Sequence, residues 1–230
     1  MKGKTVFLNV LFVALIASGC TNKTTSLNNS GNSGETTNPN EQKANTQDSN
    51  TKPNPNDQTL LDYFLPAGST ARFKGEGNEF AKLDIDFAHP YEDYVILHEN
   101  NGGAVIRRIY KIEKEQILKI EEKQVDLNED FPSLQDIQAM KPKGVYLKKP
   151  FEVGTTFDTW KIVETDVTVE TPYQTFDHAF VIEETGNDFV NRKYFVEGFG
   201  EVKREAIMKT VDKDEDFIVT STLESITKPK

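Results

Sequence analysis

The fold class is decided by the stretch Ala81-Lys82-Leu83-Asp84-Ile85-Asp86-Phe87. Apolar and charged side chains alternate along it with a period of two, and successive side chains of a β-strand point to opposite faces of a sheet. One face of this strand is therefore expected to pack on a core while the other contacts water. Such alternation is typical of an antiparallel sheet.

Further runs of strand type follow along the chain, and turn residues separate several of them. The predicted strands are Tyr94–His98, Val105–Ile112, Ile117–Val125, Trp160–Glu170, Phe176–Ile182, Lys193–Glu197, Val202–Met208 and Phe217–Leu223. The predicted turns are Asn100-Asn101-Gly102-Gly103, Pro172-Tyr173-Gln174 and Gly186-Asn187. The run Ile117–Val125 could also form a charged helix, but the short turn before it favours a strand. Phe176–Ile182 is apolar enough to be buried on both faces.

One helix is expected, at Pro132–Met140, with Leu134 and Ile137 on one side and a position at an end of the sheet. Strands at this spacing, without long helices between them, predict a mainly β fold with a minor α+β element. The sheet is expected to be antiparallel and curved or partly closed. Whether it closes fully stays open.

Aromatic residues are expected to build the core, since the chain has 15 Phe, 7 Tyr and one Trp. Alternation places Trp160 on the same face as Ile162, and this face is predicted to be buried. Two short internal similarities raise the alternatives of two related halves or chance among turn residues. They relate Pro66–Phe73 to Pro150–Phe157, and Phe73–Glu79 to Phe195–Glu201.

The N-terminus has the order of a secretory signal peptide, with Lys2 and Lys4 before an apolar run and small residues after it. The apolar run is shorter than the roughly 20 residues that a membrane span needs. Cys20, the only cysteine, follows Ala17-Ser18-Gly19 in a pattern that resembles the lipobox of bacterial lipoproteins. This resemblance implies removal of residues 1–19 and acylation of Cys20. The expected location is the outer face of the cell membrane.

Residues 21–57 are dominated by Asn, Thr and Ser, a composition that favours a disordered tether. As a flexible coil, 37 residues would span roughly 35 Å. Residues 58–230 are then expected to form one domain. Loss of Lys2 and Lys4 with the leader changes the formal charge from −10 to −12. An acidic chain repels nucleic acid, so no nucleic-acid partner is expected. The membrane is a predicted partner through the lipid on Cys20, and the identity of a protein or small-ligand partner stays open.

Several segments resemble uncharacterised lipoproteins of Gram-positive bacteria, over most of the range from Tyr63 to Met208. The segments are Gly75–Ala81, Lys148–Thr155 and Tyr194–Glu205. The resemblance implies an envelope protein but brings no catalytic residues with it.

No recognisable catalytic, cofactor or metal motif is present, and none of these sites is predicted. His89, His98 and His178 lack metal-ligand spacing. The Gly75-x-Gly77 and Gly198-x-Gly200 pairs indicate tight bends rather than a dinucleotide loop. Candidate carboxylates are Glu121-Glu122, Glu183-Glu184 and Asp212–Asp216, the last resembling a calcium loop only in charge density. A non-catalytic binding domain is favoured, and the alternative is an enzyme with a carboxylate-based site.

We expect Cys20→Ala to release the protein into the medium or to leave its leader uncleaved, because the acyl chains that hold it would be absent. Detergent-phase partitioning measures this directly. A mutant that still partitions into detergent like the parent chain would contradict lipid attachment at Cys20.

Overall fold

The structure is a computed structural model that describes residues 59–126, 129–210 and 216–229. Within these ranges a short 3₁₀ helix, Leu60–Tyr63, is followed by twelve strands and one α-helix. The elements are β1 (Thr70–Glu76), β2 (Leu83–Tyr91), β3 (Tyr94–Asn100), β4 (Val105–Ile112), β5 (Gln116–Val125), α1 (Leu134–Ala139), β6 (Gly144–Lys148), β7 (Thr156–Phe157), β8 (Trp160–Glu170), β9 (Thr175–Thr185), β10 (Phe189–Val196), β11 (Gly200–Met208) and β12 (Phe217–Thr227).

All twelve strands form a single antiparallel sheet in the order β6-β5-β4-β3-β2-β1-β12-β11-β10-β9-β8-β7. Every strand pairs with its neighbours in sequence except that β6 and β7 do not pair with each other, and the first strand pairs with the last. The two edges are therefore β6 and β7, which the curvature of the sheet brings near each other. The predicted fold class, mainly β with a curved, partly closed antiparallel sheet, is confirmed.

One aspartate joins the two edges. The backbone N–H of Val145 in β6 donates a hydrogen bond of 2.7 Å to Oδ2 of Asp158, which follows β7. Asp158 has a left-handed backbone (φ 48°), a conformation that Asp tolerates better than most residues. Gly144 leaves the space that this carboxylate needs, since a Cβ there would lie 2.4 Å from Oδ2. We call this junction the seam.

The inner face of the sheet carries a core rich in aromatic rings. The ring of Phe195 is fully buried, stacks on Phe180 at 5.4 Å and meets Tyr146 edge-on at 5.6 Å. Such ring pairs add stability beyond the area that they bury. The predicted core of inward-facing aromatics is therefore present.

The 3₁₀ helix plugs one end of the curved sheet. Leu60 and Tyr63 are buried there, and Gly198 N–H donates to the carbonyl of Asp62 at 2.7 Å. Gly200 has φ 78°, and a Cβ at this position would lie 2.3 Å from the carbonyl oxygen of Tyr63. We call this the plugged end. The opposite end, where β9 turns into β10, is called the far end.

The α-helix covers the outer face of the sheet. Ser133 caps it by accepting a hydrogen bond from Asp136 N–H at 3.2 Å. Ile137 is buried, whereas Leu134 is 36% exposed, because a helix of six residues presents few side chains to one surface. Ile137 belongs to an outer cluster with Tyr94, Ile96, Ile109 and Ile120. The prediction that this helix fills a sheet end is therefore wrong.

All nine predicted strands overlap strands of the structure, and Ile117–Val125 lies in strand β5 as favoured. Strands β1, β6 and β7 are not among the predicted ones. Strand β1 is missed because Gly75 and Gly77 indicate a bend there, and β6 and β7 because they are short and lack a clear alternation. Burial on both faces holds for Ala179–Ile182 but not for the start of β9. There His178 is exposed and has φ 61°, beside an irregular register with β8.

The two internal similarities differ in their structural meaning. Gly68 and Gly154 both have positive φ and both lie two residues before the first strand of a six-strand half. This similarity fits two related halves. Gly77 and Gly198 also have positive φ, but they follow β1 and β10, which do not correspond between the halves. The second similarity therefore reflects a shared type of bend.

We expect Phe195→Ala to lower the free energy of unfolding by about 3–5 kcal/mol, because it leaves a cavity among buried rings. The matched control is Phe217→Ala, since Phe217 is 45% exposed and should cost about 0.5 kcal/mol or less. Urea denaturation followed by circular dichroism measures both. Equal losses would show that Phe195 does not belong to the core.

Candidate functional site

Five charged side chains lie on the inner face, among the aromatic rings. Alternation places Glu99 on the same face as the buried Leu97, and Lys193 on the same face as Phe195. Together with Arg108, Glu201 and Arg204 they form a group that we call the interior ion cluster. The side chains of the two glutamates are 9% and 8% exposed, whereas the three cations keep 21–25%. The remaining accessible surface therefore belongs mainly to the cations.

Arg204 holds the cluster together across the interior. Its Nη1 and Nη2 donate to Oε1 and Oε2 of Glu99 at 3.2 and 3.0 Å, a fork-to-fork geometry. Its Nε donates to Glu201. Glu99 lies in β3 and Arg204 in β11, with three strands between them in the sheet order. The ion pair therefore connects two separated parts of the curved sheet.

Both glutamates of the cluster are held ionised. Burial alone would raise the pKa of Glu99, but the guanidinium groups of Arg204 and Arg108 outweigh it and lower the pKa to about 2. Burial would likewise raise the pKa of Glu201, and Arg204 and Lys193 outweigh it and lower that pKa. Because a general acid needs a protonated carboxyl near neutral pH, this pair is unsuited to that role.

Lys193 is the cation with the fewest ionic partners in the cluster. Its Nζ donates to Oε2 of Glu201 at 3.1 Å. It lies 5.4 Å from the ring centre of Tyr146 and 5.8 Å from that of Trp160, in cation–π contact with both. Burial lowers the pKa of Lys193, although Glu201 opposes this effect. Among the described residues, Glu201 is the one carboxylate within 4 Å of this ammonium.

Three cavities adjoin at Lys193. A cavity of about 30 Å³ is lined by the whole cluster and by Tyr146, and another of about 80 Å³ lies between Lys193, Arg108 and Trp160. The third, of about 170 Å³, is lined by Trp160, Lys193 and Arg204, with Ala206 and Val219 opposite. A wider hollow of about 430 Å³ at the far end adjoins the third cavity at Ala206. The third cavity and this hollow share the lining residues Asn191 and Ala206, which lie on the far-end side of Lys193.

The cluster has one excess positive charge. It contains three cations and two carboxylates. Glu122 pairs with Arg108 at 2.8 Å and with Lys119 at 3.4 Å, and counting this second pair leaves the excess unchanged. In a chain whose formal charge is −10, the inner face around Lys193 is therefore locally cationic. Such an arrangement favours binding of an anion.

Trp160 lies on the inner face with Ile162, as the alternation predicts. Ile162 is fully buried, but Trp160 is only half-buried because it borders two of the cavities. The prediction that Trp160 lies on the buried face and packs on the core is therefore confirmed, although its ring is not completely buried. Its indole is instead placed to contact whatever fills the space beside Lys193.

The carboxylate pairs selected from the sequence do not form acid–base pairs. Neighbouring residues of a strand point to opposite faces, so Glu121 binds the buried Arg107 at 2.7 Å while Glu122 reaches Arg108. Glu183 likewise binds Arg192 at 2.8 Å. Glu184 accepts hydrogen bonds from Thr159 and Asn191. Of the run Asp212–Asp216, residues 212–215 lie outside the described residues.

The three histidines occupy separate environments. His89 lies in β2, and burial lowers its pKa. His98 stacks on Phe131 at 5.5 Å, and burial together with the charge of Arg107 lowers its pKa. His178 pairs with Asp166 at 2.5 Å on the surface. Among the described residues, no group of three or more metal-ligating side chains occurs.

The sequence interpretation missed the interior ion cluster. A usable signal was present, since Glu99 continues the inward register of Leu97, and Arg108 that of Tyr110. Charged residues in an inward register indicate either a partner inside or a cavity. Cys20 lies outside the described residues, and its acylation stays a prediction.

The described residues thus form an all-antiparallel curved sheet with an ion cluster on its inner face. No family model matches the chain, and no curated protein matches it. A crystal structure from Bacteroides fragilis, of a protein described as exported and as having a YmcC-like fold, gives a TM-score of 0.47 at 14% identity. It covers 72% of this chain and 98% of that one.

A second crystal structure, of a protein from Parabacteroides distasonis described as a lipoprotein, gives a TM-score of 0.46 at 12% identity. It also covers 72% of this chain and 98% of that one. Likeness at this level does not say what this chain binds. Within the described ranges, no helix combines the length and apolarity that a membrane-spanning helix needs.

We expect the free energy of unfolding of Glu99→Gln to fall less at acid pH than that of the parent chain. The folded-state pKa of about 2 lies below the ordinary 4.5, so ionisation of Glu99 stabilises the fold above about pH 4.5. This stabilisation, about 3 kcal/mol, is lost as the pH falls from about 4.5 towards 2. The variant lacks this loss, and at neutral pH it is less stable by about 3–5 kcal/mol because Arg204 loses its partner.

Urea denaturation at a series of pH values between 2 and 7 measures this effect. Glu183→Gln serves as the control, because Glu183 also pairs with an arginine but on the outer face. If the free energies of unfolding of Glu99→Gln and the parent chain fell equally as the pH is lowered, the low pKa of Glu99 would be contradicted.

Proposed function

We propose that this protein is a lipid-anchored protein of the cell envelope whose curved sheet binds a small ligand in its interior without catalysing a reaction. The observation that carries the proposal is the meeting of three cavities at Lys193, a cation between two aromatic rings. Sites for small molecules are typically concave and mostly apolar, with a few placed polar groups that fix the orientation of the ligand.

The structure of the cluster supports a binding role. Arg204 uses three of its five N–H groups on Glu99 and Glu201, so two carboxylates compensate its charge and it acts as a fixed support. Lys193 has three N–H donors, and one of them bonds to Glu201. A partly buried ammonium that lines cavities and has unused donors gains free energy from an incoming acceptor. Lys193 is therefore the group that a ligand would contact.

The alternative is an enzyme that uses a pair of carboxylates. Two nearly buried carboxylates, Glu99 and Glu201, do converge, but they converge on Arg204. The lowered pKa of each favours permanent ionisation, whereas an acid–base pair needs pKa values that differ. A fixed ionic support fits this chemistry better than proton transfer does.

The envelope location rests on the N-terminus. The order of basic, apolar and small residues before Cys20 supports export and acylation, and the acyl chains would make the membrane a partner. The polar composition of residues 21–57 supports a spacer between anchor and domain. In this arrangement the inner face of the sheet meets solutes outside the cell membrane.

The test is whether a small molecule leaves the cell with the protein. The full chain is purified from membranes and denatured, and the extract is compared by mass spectrometry between the parent, Lys193→Met and Lys203→Met. Lys203 is the matched control, because its side chain is 25% exposed, against 24% for Lys193, and it contacts Tyr194 and Glu205 on the outer face.

We expect a compound that accompanies the parent and Lys203→Met and falls by about tenfold or more with Lys193→Met, as loss of a charged hydrogen bond predicts. Circular dichroism establishes that all three proteins are folded. Identical extracts from the three folded proteins would contradict the proposed function.

A further inference from the structure

The space beside Lys193 has two chemically different parts. At its inner end lies the ammonium of Lys193, supported by Arg204. Towards the far end the lining becomes more apolar, with the indole of Trp160 on one side and Ala206 and Val219 on the other. The rest of the lining comes from Asn191, Arg192, Glu205 and Ser221. The polar part is narrow and enclosed, whereas the apolar part leads outwards. A ligand that matches both parts has a charged head and an apolar body.

The apolar part continues to the surface at the far end. The hollow there is lined by Phe189, Ile207 and Met208 and by one residue of each charge, Asp188 and Lys209. It shares the lining residues Asn191 and Ala206 with the inner cavity. Its volume of about 430 Å³ is within the range of about 300–1,000 Å³ that is usual for ligand pockets. Met208 is 49% exposed, so apolar surface remains in water at this mouth. A bound apolar chain would remove it from water.

The excess positive charge of the interior ion cluster favours a ligand with an anionic head group. The interior ion cluster has one more cation than carboxylate, and its extra charge lies at Lys193. Glu184, nearer the far end, is already hydrogen-bonded to Thr159 at 2.5 Å and to Asn191 at 3.1 Å. A monoanion would neutralise the excess charge, whereas a cationic head would add to it in a medium of low dielectric constant.

We infer that the ligand of this interior site is an amphipathic organic carboxylate, whose head group pairs with Lys193 and whose apolar chain lies between Trp160, Ala206 and Val219 and extends towards Met208. This inference rests on the proposed function and specifies its ligand class. Free acyl carboxylates and aromatic carboxylates share this chemistry. The experiment below distinguishes these two classes by using one probe of each.

The single tryptophan of the chain reports directly on this site, since Trp160 borders the cavity. The full chain carrying Cys20→Ala, which needs no detergent to hold an acyl anchor, is titrated with decanoate, decylamine, decanol, acetate and phenylacetate while indole emission is recorded. We expect saturable changes with decanoate, about tenfold weaker changes with decanol, and none with decylamine or acetate. Saturation by phenylacetate instead of decanoate would identify an aromatic rather than an acyl body.

Two variants locate the binding. Lys193→Met should weaken decanoate binding by about tenfold or more, with Lys203→Met as the matched control that leaves it unchanged. Ala206→Phe fills the cavity between Trp160 and Val219 and should abolish binding while Lys193 remains. Thermal unfolding establishes that each variant is folded, and Lys193→Met carries the test alone if Ala206→Phe is not.

Equal binding of decanoate and decylamine, or equal binding by the parent and Lys193→Met, would overturn the inference. So would saturation by acetate at the same concentration as decanoate, because the apolar chain would then contribute nothing. A compound extracted in a Lys193-dependent way that is neutral or cationic would overturn the ligand class and leave the proposed function intact. If no probe binds and the extracts are also identical, both fail.

Discussion

The ion pair between Glu99 and Arg204 is the interaction on which the interior depends. It joins β3 to β11 across the inside of the sheet, with both carboxylate oxygens on one guanidinium. Taking such charges out of water costs several kcal/mol per ion, and only close geometry and further hydrogen bonds offset this. Glu201 supplies the further bonds and is shared with Lys193. The curvature of the sheet and the charge at Lys193 are thus parts of one network.

The sequence predicts the strands well because each has one buried and one solvent-exposed face, so apolar and polar residues alternate along it. Turns such as Asn100–Gly103 follow from residues that accept positive φ, as Gly102 does at 83°. The short strands β6 and β7 leave no such pattern. Inward register could have marked Glu99 and Arg204 as buried charges. The ion pair between them could not be predicted from the sequence, because they are 105 residues apart and only the order of strands in the sheet brings them together.

A cluster of five charged side chains is unusual on the inner face of a sheet that is otherwise lined by aromatic and aliphatic residues. Replacing a buried ion network by apolar residues is often neutral or stabilising, so stability alone gives little reason to retain one. Departures from locally consistent folding rules are expected at functional sites. The charged cluster and the half-buried Trp160 are two such departures, and they lie side by side at the same cavities.

The seam has a consequence for self-association. A free sheet edge presents unpaired backbone groups on which a strand from another molecule can add, and natural proteins protect their edges against this. Here the edge strands β6 and β7 are only five and two residues long. In addition, Asp158 accepts a hydrogen bond from the N–H of Val145. Any side chain at Gly144 would displace that carboxylate. The absence of a side chain at Gly144 thus keeps the N–H of Val145 paired within the molecule, where a strand of another molecule cannot bind it.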